Sequence, residues 1–168
     1  MHAGRLSGLA FLACLAAASS SADPNPGIDV IGESGRSTVL TASALAQLPA
    51  AEVTVSFETE HGAQHGSFEG PLLWTVLDHA GAIETRSPRD AVRRTVLITG
   101  RDGYTAILAL GEIAPEFEGK RVILAERMDG HSLDPDHLRI VVPGDRRGGR
   151  SVRDVVRIAV AVAQDRSN

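Results

Sequence analysis

Residues 68–81 read FEGPLLWTVLDHAG, and this stretch decides the fold of the chain. Apolar residues recur in it at the spacing of one helical face, namely at Leu72, Leu73, Val76, Leu77 and Ala80. Pro71 suits the first position of a helix, and Gly81 suits the position just beyond its end. The stretch therefore predicts a short helix with its apolar stripe in the core and Asp78 in solvent.

The segments on either side of this helix are typical of strands and tight turns. Alternating or continuous apolar runs predict strands over 28–31, 37–40, 53–57, 95–99, 104–108, 121–126, 138–142 and 157–163. Residues 100–103 are predicted to turn a hairpin, 61–66 to form a loop and 41–48 a short helix. Because strands and helices do not alternate regularly, we expect an α+β fold with a β-rich, mixed, barrel-like sheet and a few short helices.

The composition is that of one globular domain. The chain has 168 residues, 43% of them hydrophobic and 23% charged, values that exclude a disordered or collagen-like chain. Its 17 Lys and Arg residues are outnumbered by 21 Asp and Glu residues, and only 4% of the residues are aromatic. We therefore expect no nucleic-acid partner, since such a partner needs a basic surface and stacking rings.

The first 22 residues have the pattern of a secretory signal peptide. Arg5 supplies positive charge, 9–18 is an apolar run too short to span a bilayer, and 20–22 offers small residues for cleavage before Asp23. Cys14, the single cysteine of the chain, lies in this segment and gives a lipoprotein-type alternative. We expect a periplasmic or secreted protein with one domain over 23–168, no membrane span and no cysteine after cleavage.

Three ordered stretches resemble the molybdopterin-binding domain of the sulfite oxidase family. The first is 68–81, and the second runs from Gly103-Tyr104 through 109–113 to 122–125. The third is LRIVVPG at 138–144, followed by GRSVR at 149–153 and by Arg157-Ile158. The resemblance spans about residues 50–162. It implies the fold of that family, molybdopterin as the cofactor and chemistry of the oxidoreductase class.

One feature of that family is missing from this sequence. In catalytic members a cysteine binds molybdenum through its thiolate, at the end of the strand that precedes the aromatic–Gly–Pro segment. The matching region here, 53–61, reads VTVSFETEH and has no cysteine. A serine hydroxyl is a much poorer ligand, because its pKa lies far above that of a thiol. We therefore expect no standard cysteine-ligated molybdenum, and the sequence assigns no catalytic residue.

The segment 143–153, PGDRRGGRSVR, is the best candidate for an anion site. Four arginines stand within eight residues, and the glycines between them leave backbone N–H groups open to a ligand. The resemblance assigns this segment to the phosphate of the pterin, with Arg150, Ser151 and Arg153 as the binding residues. The alternative is a solvated basic loop paired with acidic neighbours.

A second polar cluster consists of Glu58, Glu60, His61 and His65. Two histidines and a carboxylate can bind a metal, but Gly62 and Gly66 disfavour one continuous helix face, and we predict no metal site. The resemblance places this loop near the position of the metal. His61 and His65 are therefore predicted to face the cofactor across the cleft from the arginines, and a polar loop at the rim of a pocket is the alternative.

Two classes of function remain open. The first is an exported molybdopterin-binding domain related to sulfite-oxidase-type oxidoreductases, which binds a phosphate-bearing pterin and has a redox protein as a further partner. The second is a non-catalytic module that uses the same cleft for another anionic small molecule or for a partner protein. The ordered motifs and the missing cysteine together favour pterin binding without the standard catalysis.

Overall fold

The structure, a computed structural model, describes residues 27–59, 62–84 and 87–162. The predicted signal peptide, Cys14 and His61 lie outside these ranges. The strands are β1 (Gly27–Ile31), β2 (Ser37–Thr41), β3 (Ala50–Thr59), β4 (Gly62–Pro71), β5 (Arg94–Gly100), β6 (Thr105–Ala109), β7 (Ile123–Ala125), β8 (Arg127–Met128), β9 (His131–Ser132), β10 (Arg139–Val141) and β11 (Val155–Val162). The helices are α1 (Ala42–Leu45), α2 (Leu73–His79), α3 (Pro88–Ala91) and α4 (Leu110–Ile113), with 3₁₀ turns at Pro135–His137 and Gly148–Arg150.

The largest sheet has five strands in the order β2-β1-β11-β5-β6. Only its β1–β11 pair is parallel, so the sheet is mixed. Alternate residues of its strands, such as Val30, Ile98 and Ile158, are fully buried, as expected for a sheet with one face on the core. A four-stranded sheet, β3-β4-β8-β9, and the pair β10-β7 complete the fold. The predicted β-rich, mixed α+β class is confirmed.

The β7–β10 pair lies between two hydrophobic clusters. Leu124 and Ile140 belong to the main core, together with the five-stranded sheet and α2. Ile123 and Val141 belong to a smaller cluster built on β3 and β4. Successive side chains of a strand point to opposite faces, so this short pair is buried on both faces. Arg139, two residues before Val141, therefore points toward the smaller cluster.

The hairpin β3–β4 corrects the predicted loop at 61–66. The two strands are paired from Ala50 opposite Pro71 to Thr59 opposite Gly62, so Gly62–Gly66 belongs to a strand. Gly62 has φ of +102°, which suits a tight chain reversal. Gly66 has a packing role, because a Cβ there would lie 3.0 Å from the ring of Phe68. The two glycines serve the hairpin's turn and its packing, not a loop.

Helix α2 has the predicted phase but a different start. Leu73, Val76 and Leu77 are completely buried, which confirms the apolar stripe. Pro71 is not the first helical residue: it ends β4, and Leu72 bridges to Ile123 before the helix begins. The C-terminus matches the prediction, because Gly81 has φ of +68° and its N–H donates to the Asp78 carbonyl in a Schellman-type end.

Candidate functional site

The predicted anion segment follows β10 and leads into β11. Within it, Arg150 is held by two carboxylates: its Nη2 lies 2.6 Å from Asp145 Oδ1, and its Nη1 lies 3.1 Å from Glu112 Oε2. The hydrogen bond to Asp145 is the main reason that the pKa of Arg150 is raised, and Glu112 adds to it. Arg150 is thus neutralised within the protein and holds the 3₁₀ turn against α4.

A cavity of about 510 Å³ opens beside this segment. Its polar lining consists of His65, His137, Arg139, Arg153 and Asp154. Its apolar lining comes from Ala63 on β4, Met128 on β8 and Leu133. Two arginines and two histidines against one carboxylate make its walls suited to an anion with an apolar part.

Arg139 is the most unusual residue of the cavity. Only 7% of its surface is exposed, and its guanidinium lies 4.9 Å from the centre of the Phe68 ring. Among the described residues, none provides a hydrogen-bond partner for its buried Nε. Burial lowers the pKa of Arg139, and the nearby positive charge of Arg153 lowers it further. A buried donor without a partner is costly, so this site fits a ligand that brings an acceptor oxygen.

His137 and Asp154 form a close pair on the cavity wall. Nδ1 of His137 lies 2.7 Å from Oδ1 of Asp154, and this hydrogen bond, with the negative charge behind it, raises the pKa of His137. Asp154 has φ of +50°, a left-handed conformation that few residue types other than glycine adopt. Its carbonyl accepts a hydrogen bond from the Arg101 N–H, which helps to fix this conformation.

Two smaller cavities adjoin the first. One, of about 250 Å³, is lined by Ser151 and Tyr104 and shares Arg153 and Asp154 with the larger cavity. The other, of about 460 Å³, is lined by Ser56, Glu58, Arg146 and Arg147 and shares Ala63. The phenol of Tyr104 donates to the Gly149 carbonyl at 2.6 Å, which ties the hairpin β5–β6 to the arginine segment.

The structure brings together some of the residues predicted from the sequence. His65 and Arg153 line the same cavity, and Ser151 lines the cavity that shares Arg153. Arg150 lies instead in the ion pairs with Asp145 and Glu112, and His61 lies outside the described residues. Arg139 and the His137–Asp154 pair were not predicted. The signal for Arg139 was a lone charge inside the apolar run 138–142.

The residues of these cavities suit one part of a metal-bearing cofactor and not the other. The buried donor of Arg139 and the exposed Arg153 suit the phosphate of a pterin cofactor. In the described part of the chain, no group of three or more His, Cys, Asp or Glu side chains is placed to hold a metal ion. No cysteine follows Cys14 in the sequence, so the residues fit the phosphate but not a thiolate-bound metal.

Comparisons with known proteins identify the family and agree with the fold. The family model described as oxidoreductase molybdopterin binding domain matches residues 25–168. The crystal structure of the sulfane dehydrogenase SoxCD from Paracoccus pantotrophus is similar in fold, with a TM-score of 0.65 and 17% sequence identity. The match covers 84% of this chain and 39% of that one. No curated protein matches the chain.

Proposed function

The chain belongs to the oxidoreductase molybdopterin-binding domain family, and from that membership we propose that it binds a phosphate-bearing pterin without cysteine-ligated molybdenum. The single observation that carries the proposal is Arg139, a buried arginine with an unpartnered Nε that lines the same cavity as Arg153. A phosphate monoester brings acceptor oxygens and negative charge, and the single carboxylate of the cavity does not supply enough of either for its two arginines.

The cavity offers each part of such a ligand a separate surface. Arg139 and Arg153 hold the phosphate, and Ser151 lies next to Arg153 in the adjoining cavity. Met128 and Leu133 offer an apolar surface for the pterin ring, and His65 offers a polar contact. Arg150 acts indirectly, because its pairs with Asp145 and Glu112 fix the segment that carries Ser151 and Arg153.

Without a cysteine thiolate to bind molybdenum, the chain can bind the pterin but lacks a ligand that the standard catalysis needs. A bound molybdopterin supplies a dithiolene that can itself hold molybdenum, but the chain adds no cysteine to complete the site. In the proposed role the protein therefore recognises the pterin and does not perform oxo-transfer through a cysteine-ligated metal.

Export is part of the proposal. The signal-peptide pattern of residues 1–22 supports a periplasmic or secreted protein that starts at Asp23. Among the described helices, the longest has seven residues, and none is long and apolar enough to cross a membrane. N-terminal sequencing of the secreted protein tests this part: a protein that retains residues 1–22 would contradict it.

Isothermal titration with a pterin that carries a phosphate monoester tests the binding. We expect the wild type to bind it with an affinity that falls as salt rises, because charge pairing is screened. Arg153→Ala should weaken binding about tenfold, as expected for a lost charge-assisted hydrogen bond. Arg89→Ala, which removes an exposed arginine of α3, is the matched control and should change the affinity less than about twofold.

Two results would overturn the proposal. If neither the wild type nor Arg89→Ala binds the pterin phosphate, the ligand class is wrong. If Arg153→Ala binds as well as the wild type, the site is wrong. Elemental analysis of protein from a host that makes molybdopterin tests the metal. We expect much less than one molybdenum atom per chain, because no cysteine completes the metal site. One atom per chain would contradict this expectation and show that the dithiolene holds the metal without a cysteine.

A further inference from the structure

The His137–Asp154 pair faces the cavity from two separate parts of the chain. His137 ends the 3₁₀ turn that precedes β10, and Asp154 directly precedes β11. Because a carboxylate only accepts hydrogen bonds, the contact from Asp154 to Nδ1 requires that Nδ1 carries a proton. Nε2 is then the ring atom free to gain or lose a proton, on a side chain that is 59% exposed and lines the cavity.

We propose that His137 is a further phosphate-binding residue of this cavity, that Asp154 positions it, and that the pair makes binding selective for the phosphate dianion within a limited pH range. This inference rests on the proposed function and adds the charge state of the ligand to it. It stands on the 2.7 Å contact, on the shared cavity and on the left-handed backbone of Asp154.

The charged groups around His137 determine the direction in which its pKa is shifted. Asp154 raises its pKa most, Asp134 adds to this effect, and Arg101 opposes it. Arg101 is itself paired with Asp136, with 3.5 Å between Nη2 and Oδ1. Arg139, Arg153 and His65 line the same cavity. The positive charges of Arg139 and Arg153 disfavour a further positive charge on His137 when the cavity is empty. A bound dianion removes this opposition and favours protonation of His137.

The protonation of the phosphate and the protonation of His137 then limit the pH range in which the ligand binds. A phosphate monoester is a dianion only above its second pKa of about 6. His137 donates from Nε2 only below its own pKa, which lies above the ordinary value of about 6.5. Affinity should therefore rise as the pH passes about 6 and fall as the pH passes the raised pKa of His137. A pterin without phosphate should lack the rise near pH 6.

Calorimetric titration of the pterin phosphate between pH 5 and 9 measures this profile. We expect the wild type to lose about tenfold in affinity on the alkaline side, the effect of one charge-assisted hydrogen bond. His137→Gln should lose this alkaline fall and keep the acid limb. Asp154→Asn should move the fall to lower pH, and it preserves the backbone because asparagine also adopts positive φ. His131→Gln, an exposed histidine outside the cavity lining, is the control and should match the wild type.

NMR titration of the wild-type histidines gives a second readout that needs no variant. The pKa of His137 should lie above the ordinary histidine value in the free protein and rise further when the pterin phosphate binds. An alkaline fall that persists in His137→Gln, or a His137 pKa that the ligand leaves unchanged, would overturn the inference while the proposed function stands. A complete lack of pterin binding at every pH would instead overturn the proposed function.

Discussion

Arg139 and Arg150 are both charged and partly or fully withdrawn from water, yet their partners differ. Arg150 meets two carboxylates, whereas Arg139 meets an aromatic ring and has a buried donor with no partner among the described residues. An arginine whose charge is balanced inside the protein contributes to stability. An arginine that is buried without such balance costs stability, which is the basis of the proposal that a ligand binds Arg139.

Replacing Arg139 by methionine should therefore separate stability from binding. The change keeps an unbranched side chain against Phe68 and removes a buried charge, so the free energy of unfolding should stay the same or increase. Pterin-phosphate binding should be lost. Urea unfolding and calorimetry measure the two effects. A destabilisation comparable with the roughly 2–5 kcal/mol expected for Leu77→Ala in the core would show that Arg139 is structural instead.

Arg150→Ala should have the opposite effect. Its ion pairs with Asp145 and Glu112 are partly buried, and hydrogen bonds to charged groups contribute about 1.5–3 kcal/mol, so we expect a loss of about 1–3 kcal/mol in stability. Its effect on the pterin affinity should be smaller than that of Arg153→Ala. Arg157→Ala is the matched control, because its exposed pair with Asp29 contributes only about 0–1 kcal/mol. Equal stability of the two variants would contradict this assignment.

The sequence alone could indicate the arginine segment but not the role of each arginine. Charge and glycine spacing mark residues 143–153 as a group. Which arginine meets a carboxylate depends on Glu112, which is 38 residues away in the chain and reaches Arg150 only in the folded protein. Arg139 was missed for the same reason, since its burial depends on Phe68 from another strand.

At the scale of elements, Gly70 explains why the stretch 68–81 decides the fold. A Cβ at this position would overlap the Leu124 carbonyl and lie 2.9 Å from the Cα of Ala125. The backbone of β4 therefore approaches β7 more closely than any side chain permits. The same close approach joins the smaller cluster around Phe68 to the buried β7–β10 pair, whose Arg139 faces the cavity.

Gly70→Ala should accordingly destabilise the protein by about 1–3 kcal/mol through overpacking against backbone that cannot move aside easily. Gly149→Ala is the control, because a Cβ there would meet only the Tyr104 hydroxyl at 3.9 Å, an ordinary contact. Denaturant unfolding compares the two variants. If both unfold at the same midpoint, the close approach of β4 to β7 does not constrain the fold.

The helices and turns whose structure depends on local sequence could be predicted. The segments whose structure depends on packing between distant residues could not. The stripe of α2, its glycine end and the hairpin turn at Gly103, whose φ is +84°, all follow from short-range rules. The glycines of β4 misled the prediction, because Gly66 makes room for the ring of Phe68. Pro71 was placed in a helix, although its pairing with Ala50 makes it the end of a strand.

At the scale of the whole molecule, the candidate site lies where separate parts of the fold meet. His65 comes from the β3–β4 hairpin, Arg139 from the pair between the two clusters, and Arg153 and Asp154 from the approach to β11. A ligand that binds only the folded state stabilises it, by an amount that grows with the logarithm of the ligand concentration once that concentration exceeds the Kd. The family model spans residues 25–168 and so includes every residue of this cavity, and the match to the solved SoxCD chain covers 39% of that chain.

Native mass spectrometry of the protein from a host that makes molybdopterin tests the central claim most directly. We predict that wild-type protein carries an added mass equal to one phosphate-bearing pterin without molybdenum, and that Arg139→Met carries none. Wild-type protein that shows only the mass of the bare chain, or an equal pterin adduct on Arg139→Met, would contradict the proposed site. A molybdenum-containing adduct at one per chain would contradict the expected low molybdenum content and show that the pterin dithiolene holds the metal without a cysteine ligand.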